Sequence, residues 1–241
     1  MPLGYSADLR AARPPGTPLI RPPHKPVLTS PAMSSVDPDL ELLKQWREGT
    51  SSAGEELFSR HFPTLKRFFR NKVSSGVEDL MQKTFLICVE TKERVRGDST
   101  FRTYLFGVAF NVLRNHLRSK RRKDDPVDFG TVSAAALDPT PSRYVAGREE
   151  QQTILFALRE LPLDFQVVLE LHYWEQLDRN EIAAVLDIPP GTAASRLRRG
   201  RELLKAALER TTTPALLTRT LSNLDDWAVE LAAGVRGRDG A

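Results

Sequence analysis

Cysteine is all but missing. The 241 residues contain one, Cys88, which excludes an internal disulfide and any cysteine-cluster metal site. Its neighbours Phe85, Leu86 and Val89 fall on a helical pattern, so it reads as a small buried hydrophobe rather than a reactive thiol. Histidine is scarce as well. His24, His61, His116 and His172 lie far apart, and no nucleophile, carboxylate cluster or metal-ligand set surrounds them. This points away from an enzyme, a metal, a cofactor or a small-molecule substrate. No stretch approaches the roughly 20 apolar residues of a membrane span. The chain starts with a proline-rich segment, not with a charged segment followed by an apolar core, so no secretory signal is read there. A cytoplasmic protein without membrane insertion is expected.

What is present is helix and basic charge. The net charge of +4 is mild, but the cations gather in two clusters separated by an acidic stretch. Residues 1–36 are rich in proline and poor in anything to bury, and read as a disordered arm. Residues 37–123 read as a first helical domain. Leu40, Leu43 and Trp46 begin an amphipathic pattern, Gly49 to Gly54 interrupts it, and Leu57, Phe58, Phe62, Leu65, Phe68 and Phe69 resume it. Pro63 predicts a bend or break in that second helix. A third helix over Val77 to Lys92 turns Asp79, Gln82 and Lys83 to its polar side. The fourth, Phe101 to Lys123, has Asp98 or Ser99 as its expected cap. Its C-terminal half carries Arg114, Arg118, Lys120, Arg121, Arg122 and Lys123 with no acid among them. Cations suit a helix C-terminus, but this density favours a surface that tracks phosphates.

Residues 124–145 reverse the sign, with Asp124, Asp125, Asp128 and Asp138 among prolines, and read as a flexible acidic linker. Residues 146–210 read as a second helical domain, in which Asp164 is the expected cap of the helix after Pro162. Its end is the most specific stretch in the chain. Asp178-Arg179-Asn180-Glu181 is a variant capping box, followed by the apolar Ile182, Ala183, Val185 and Leu186. Asp187 to Gly191 turns the chain, and Thr192 is the expected cap of a second helix. There Ala193, Leu197, Gly200 and Leu204 share one stripe, while Thr192, Ser195, Arg196 and Arg199, with Arg198, take the other side. A short helix, a tight turn and a helix apolar on one face and basic on the other describe a helix-turn-helix. The competing reading is an ordinary helical hairpin with a solvated basic face. The small inward residues Ala193 and Gly200 favour the DNA-binding unit. Residues 211–241 are an extension to which no role is assigned.

Three blocks, in order, resemble the extracytoplasmic-function class of bacterial sigma factors in the sigma-70 family. They are Glu78 to Leu86; Arg96 to Leu105 with Ala109-Phe110-Asn111; and Asn180 to Ala183 through Gly191 to Leu197. The resemblance implies an all-α fold of two small helical domains, region 2 and region 4. It implies a non-enzymatic subunit that binds core RNA polymerase and promoter DNA and is held in check by an anti-sigma factor. Asp79, Gln82, Lys83 and Thr84 would dock on polymerase. Arg96, Gly97, Asp98, Ser99, Thr100 and Tyr104 would capture a base flipped from the −10 element, with Asn111, Arg114, Arg118 and Arg121 following the strand. Thr192, Ser195, Arg196, Arg198 and Arg199 would meet the −35 element. Departures from the family pattern are Lys83 where Glu is usual, Tyr104 for Trp, Ala194 for Lys, and the Pro189-Pro190 turn. Two other classes compete. A stand-alone helix-turn-helix regulator leaves the Asp79 helix and the Arg96 loop without a purpose, and a recombinase requires a catalytic cluster that the sequence does not show.

Overall fold

The computed structural model describes residues 38–94, 100–120, 127–138 and 149–211. Among these the chain is helical: α1 (Pro38–Arg47), α2 (Ser51–Arg70), α3 (Val77–Thr91), α4 (Phe101–Ser119), α5 (Ala134–Leu137), α6 (Glu149–Glu160), α7 (Leu163–Tyr173), α8 (Arg179–Leu186) and α9 (Pro190–Thr211). A 3-10 turn, Lys92–Arg94, follows α3. The all-α class expected from the sequence is the class observed. The expected arm (1–36), loop residues 95–99, residues 121–126 and the extension after Thr211 lie outside the described residues.

Helices α1 to α4 form the first lobe around Leu57, Leu65, Phe69, Leu80, Leu105, Phe106 and Leu113, all buried. The break between α1 and α2 falls at Gly49, whose φ of 106° is accessible to glycine at little cost. Gly54, by contrast, is needed for space: a Cβ there would lie 2.5 Å from Trp46 Nε1. Trp46 is itself wedged edge-on against Phe58 (5.2 Å between centroids) and Phe101 (6.4 Å). Pro63 does not break α2, contrary to expectation. Leu57 and His61 before it and Leu65, Phe68 and Phe69 after it are all buried along the same helix, and this packing outweighs the hydrogen bond that proline cannot make.

Helices α6 to α9 form the second lobe. Ile154, Leu158, Leu161, Leu169, Trp174, Leu204 and Leu208 are its own apolar cluster. Gly200 sits where α9 crosses α7, and a Cβ there would come within 3.2 Å of Leu169 Cγ. The small inward residue thus sets the close approach of the two helices.

The lobes are not held apart on an open tether. Leu163, Val167, Val168 and Leu171 of α7, and Ile182, Val185 and Leu186 of α8, join the same continuous core as α1 to α4. Part of the expected linker is folded into this seam. Phe129, Ala134 and Leu137 are buried, Ser133 caps the short α5 by accepting from the Ala136 N–H, and Ser133 pairs with Pro162 in an isolated bridge. Composition marks this segment as polar, but three apolar side chains at Phe129, Ala134 and Leu137 suffice to pin it.

Polar groups cross the seam as well. Glu170 of α7 receives the Lys72 ammonium and the Asn71 amide, the latter at 2.9 Å, and Lys72 and Glu170 are 0% and 2% exposed at their side chains. Arg159 donates to the Asn71 carbonyl (3.0 Å) and to the Asp138 carbonyl. Arg67 of α2 pairs with Glu175. Burial pushes the Lys72 ammonium below the ordinary lysine value, with Glu170 opposing it.

Candidate nucleic-acid interface

The second lobe ends in two short-range devices that the local sequence dictates. Asp178 Oδ1 accepts from the Asn180 and Glu181 N–H groups (2.7 and 2.9 Å), and the Asp178 N–H donates to Glu181 Oε2 (2.9 Å). This is the capping box expected at α8. The turn follows at Asp187, left-handed with φ 55°, a conformation that short polar side chains tolerate. Ile188 N–H then donates back to the Ala183 carbonyl at 3.0 Å.

α9 opens at Pro190 rather than at Thr192. Proline is favoured at a first helical position, where its missing N–H is no loss. The Pro189 carbonyl accepts from Thr192 and Ala193 (2.9 and 3.1 Å), so Thr192 lies inside the first turn, not at the cap. Ala193, Gly200 and Leu204 face inward as expected. Outward, Ser195, Arg198 and Arg199 are exposed, and Thr192 is half-exposed. Arg198 and Arg199 both reach Glu202, at 2.9 and 2.7 Å. Arg199, with Arg198 adding to it, holds the Glu202 carboxyl below its usual value.

Arg196 departs from the expected set. Its Nη2 lies 2.9 Å from Asp164 Oδ2 on α7, so it braces the lobe instead of projecting with its neighbours. Asp164 in turn is not a cap. α7 has Pro162 at that position with no side-chain cap, and Asp164 lies within its first turn. A cation that the sequence reading missed, Arg201, is exposed beside this face, donating to Tyr173 Oη at 2.8 Å. It lies three residues beyond Arg198, one turn further along α9, and that spacing was visible in the sequence.

In the first lobe, Thr100 rather than Asp98 or Ser99 caps α4, its Oγ1 accepting from Thr103 N–H at 3.1 Å. The remaining residues of the expected base pocket, Arg96, Gly97, Asp98 and Ser99, and Arg121 further on, lie outside the described residues. Tyr104 hydroxyl meets Thr91 Oγ1, and Asn111 is half-buried on α4. Arg114 and Arg118, one turn apart, both face the Phe129 ring, with guanidinium carbons 5.0 and 5.2 Å from its centroid. Burial, aided by Arg118 and Arg196 and opposed by Asp164, pushes Arg114 below the usual arginine value.

On α3, Asp79, Gln82 and Lys83 are exposed. Thr84 is not. It is 0% exposed, donates to the Leu80 carbonyl at 2.7 Å, and faces the core, so it is a packing residue and no part of an outer surface. The same side of α3 carries an open apolar groove of about 410 Å³ lined by Phe62, Glu78, Met81, Gln82, Phe85, Leu86 and Val89. Phe62, Leu86 and Val89 are large apolar side chains left exposed. Among the described residues no His, Cys, Asp and Glu grouping could hold a metal ion, and no helix is long and apolar enough to cross a membrane.

A helix-turn-helix whose exposed Arg198 and Arg199 pair only with Glu202 of the same helix, and in the other lobe a helix α4 bearing Arg114 and Arg118, are the geometry of a two-lobed DNA-binding protein. Comparison with known proteins gives the family. Sigma-70 region 2 matches residues 57–123, and Sigma-70, region 4 matches residues 151–204. The ECF RNA polymerase sigma-E factor of Escherichia coli (strain K12) is 28% identical over 181 residues, covering 71% of this chain and 95% of that protein. The corresponding factor of Haemophilus influenzae is 26% identical over 180 residues, with the same coverage. Among solved structures, CnrH in complex with the cytosolic domain of CnrY is similar in fold, with a TM-score of 0.56 and 24% identity over 73% of this chain and all of that one. The sigma factor RpoE in complex with the anti-sigma factor NepR from Bartonella quintana gives a TM-score of 0.50 at 20% identity, covering 64% of this chain and 96% of that one. The chain belongs to the sigma-70 family, in its extracytoplasmic-function class, and is a sigma factor that directs RNA polymerase to promoters.

Proposed function

We propose a division of the work among three surfaces. The exposed side of α3, with Asp79, Gln82 and Lys83 around the apolar groove of Phe62, Leu86 and Val89, docks core RNA polymerase. The helix α4 with the loop before it takes the −10 element: Thr100 and Tyr104 close one end of a base pocket, and Asn111, Arg114 and Arg118 follow the separated strand. Stacking and backbone charge are what such a strand requires. In α9, Thr192, Ser195, Arg198 and Arg199 enter the major groove at the −35 element, while Arg196, held by Asp164, positions the helix. The chemistry of RNA synthesis stays with the polymerase, so the chain is not an enzyme, and it works in the bacterial cytoplasm. An anti-sigma factor is its expected inhibitor. The solved structures of similar fold, which hold CnrY and NepR, support that reading.

The observation that carries the docking assignment is the exposed apolar groove on α3 flanked by polar side chains. Pull-down by immobilised core polymerase tests it. Leu86→Asp and Gln82→Ala together are expected to abolish retention while leaving the helical circular dichroism spectrum unchanged. Undiminished retention would place the docking surface elsewhere.

A further inference from the structure

We propose that α1 is a positioning element for −10 recognition: Trp46 and Arg47, at its end, grip both sides of the α3–α4 junction and so set the pose in which Thr100 and Tyr104 meet an unstacked base. The inference rests on the proposed role of α4 at the −10 element.

One side of the junction is the end of α3 and the 3-10 turn after it. Lys92 Nζ donates to the Trp46 carbonyl at 3.0 Å and lies 5.5 Å from the centroid of the Trp46 ring, a cation–π contact. Arg47 Nε donates in return to the Lys92 carbonyl at 3.2 Å. Carbonyls at the end of a helix lack intrahelical partners and favour a nearby cation. α3 has no basic residue in its own last turn, and Arg47 of α1 supplies one. Each helix end thus caps the other, across 45 residues of chain.

The other side is the start of α4. Phe101, its first residue, is 0% exposed. Its ring sits among Trp46, Phe58 and His61, with centroids 6.4, 6.3 and 5.5 Å away. His61 is itself held by Asp39 of α1, Nε2 to Oδ2 at 2.5 Å. Trp46 therefore touches both sides, Lys92 through its carbonyl and ring face and Phe101 through its ring. Gly54 leaves room for that indole and no more. A further tie runs straight across the junction, from the Tyr104 hydroxyl to Thr91 Oγ1 at the end of α3.

The physical division is between contacts that hold the fold and contacts that aim it. The first lobe keeps its apolar core of Leu57, Leu65, Phe69, Leu80 and Leu113 whether or not Arg47 and Lys92 are present. Both of these cations are only half-buried, so their contribution to global stability is small. Their bonds are directional, and directional bonds fix a junction to about 0.5 Å, the tolerance at which edge hydrogen bonds to a flipped base are made or lost.

The test uses holoenzyme reconstituted from core polymerase and the full chain. Its probes are four fluorescent single strands that differ only in the base taken by the pocket, within a −10 element selected by the wild-type holoenzyme. Arg47→Ala and Lys92→Met are each expected to cut the preference for the selected base by about fivefold or more, in line with the loss of one charge-assisted hydrogen bond. Retention on core polymerase, competition between −35 sequences and the helical circular dichroism spectrum are expected to stay as in wild type. Lys92→Arg, which keeps a donor and a cation over the indole, is expected to keep the preference. Thr91→Val, which removes only the tie to Tyr104, is expected to lower it and decides the matter if Lys92→Met does not fold. Equal weakening on all four strands, or a preference that survives these substitutions in folded chains, overturns the proposal. A wild-type holoenzyme with no preference among the four strands would instead overturn the −10 role proposed for α4, and the positioning role with it.

Discussion

Arg196 of α9 turns back to Asp164 of α7, Nη2 to Oδ2 at 2.9 Å, while Arg198 and Arg199 two and three residues on remain exposed. Three cations that look equivalent in sequence therefore do different things. Arg196→Ala is expected to lower stability by about 1 kcal/mol, since the pair is only partly buried and solvent screens it. The urea midpoint reads this loss. Arg199→Ala is expected to leave stability unchanged and to weaken discrimination at the −35 element by about 1–3 kcal/mol, read as competition between intact and substituted −35 sequences for the holoenzyme. Equal effects of the two substitutions on both measurements would contradict the assignment.

Gly54 permits the contact between α2 and Trp46, because a methyl group there would lie within 2.5 Å of the buried indole. Gly54→Ala improves helix propensity, yet it is expected to destabilise the chain by about 1–3 kcal/mol through overpacking. Thermal unfolding followed by circular dichroism checks the sign.

Acid should loosen the fold through two carboxyls. Burial raises Asp39, but His61 and Arg60 outweigh it and hold the carboxyl below the usual range. At Asp138, burial is likewise outweighed by Lys120 and Ser74. Depressed carboxyl values give stability that is complete above the unfolded value of about 3.9 and lost as pH falls through the folded one. Urea midpoints are expected to hold steady from about pH 7 to 5 and to fall below about 4. Asp39→Asn is expected to start from a lower midpoint and to show a shallower fall. An unaltered pH profile would remove Asp39 from this role.

Much of the second lobe was legible because its signals are local. The capping box of Asp178 and Glu181, the apolar side of α8 and the inward stripe of Ala193, Gly200 and Leu204 involve residues three or four apart. What the sequence reading missed depends on distant partners. Thr84 is the exception, since it stands four residues from both Leu80 and Cys88 on the buried side of α3 and only the family resemblance set it on the outer surface. Nothing near Pro63 shows that α2 continues, and Arg196 is indistinguishable from Arg199 until α7 is in place. The seam pairs Lys72 with Glu170 and Arg67 with Glu175 across about 100 residues. One trace of it was visible: Gln166 and Glu170 interrupt the apolar run from Phe165 to Leu171 in α7, and a charge among Val167, Val168, Leu169 and Leu171 needs a buried partner.

Cys88 shows the same dependence on packing. Burial pushes its thiol up to about 12, with Tyr104 working the other way. At pH 8 the native chain is expected to leave a thiol-reactive chromogenic disulfide untouched for hours, with one equivalent reacting in denaturant. Prompt reaction of the native chain would show that the α3–α4 contact opens readily.

Run-off transcription with purified core polymerase, with and without this chain, on a template holding the promoter and one with its −10 and −35 elements scrambled, tests the central claim most directly. A discrete transcript only when the chain and the intact promoter are both present is the predicted result. The same transcript without the chain, or no gain from adding it on any promoter enriched by the reconstituted holoenzyme, would contradict the account.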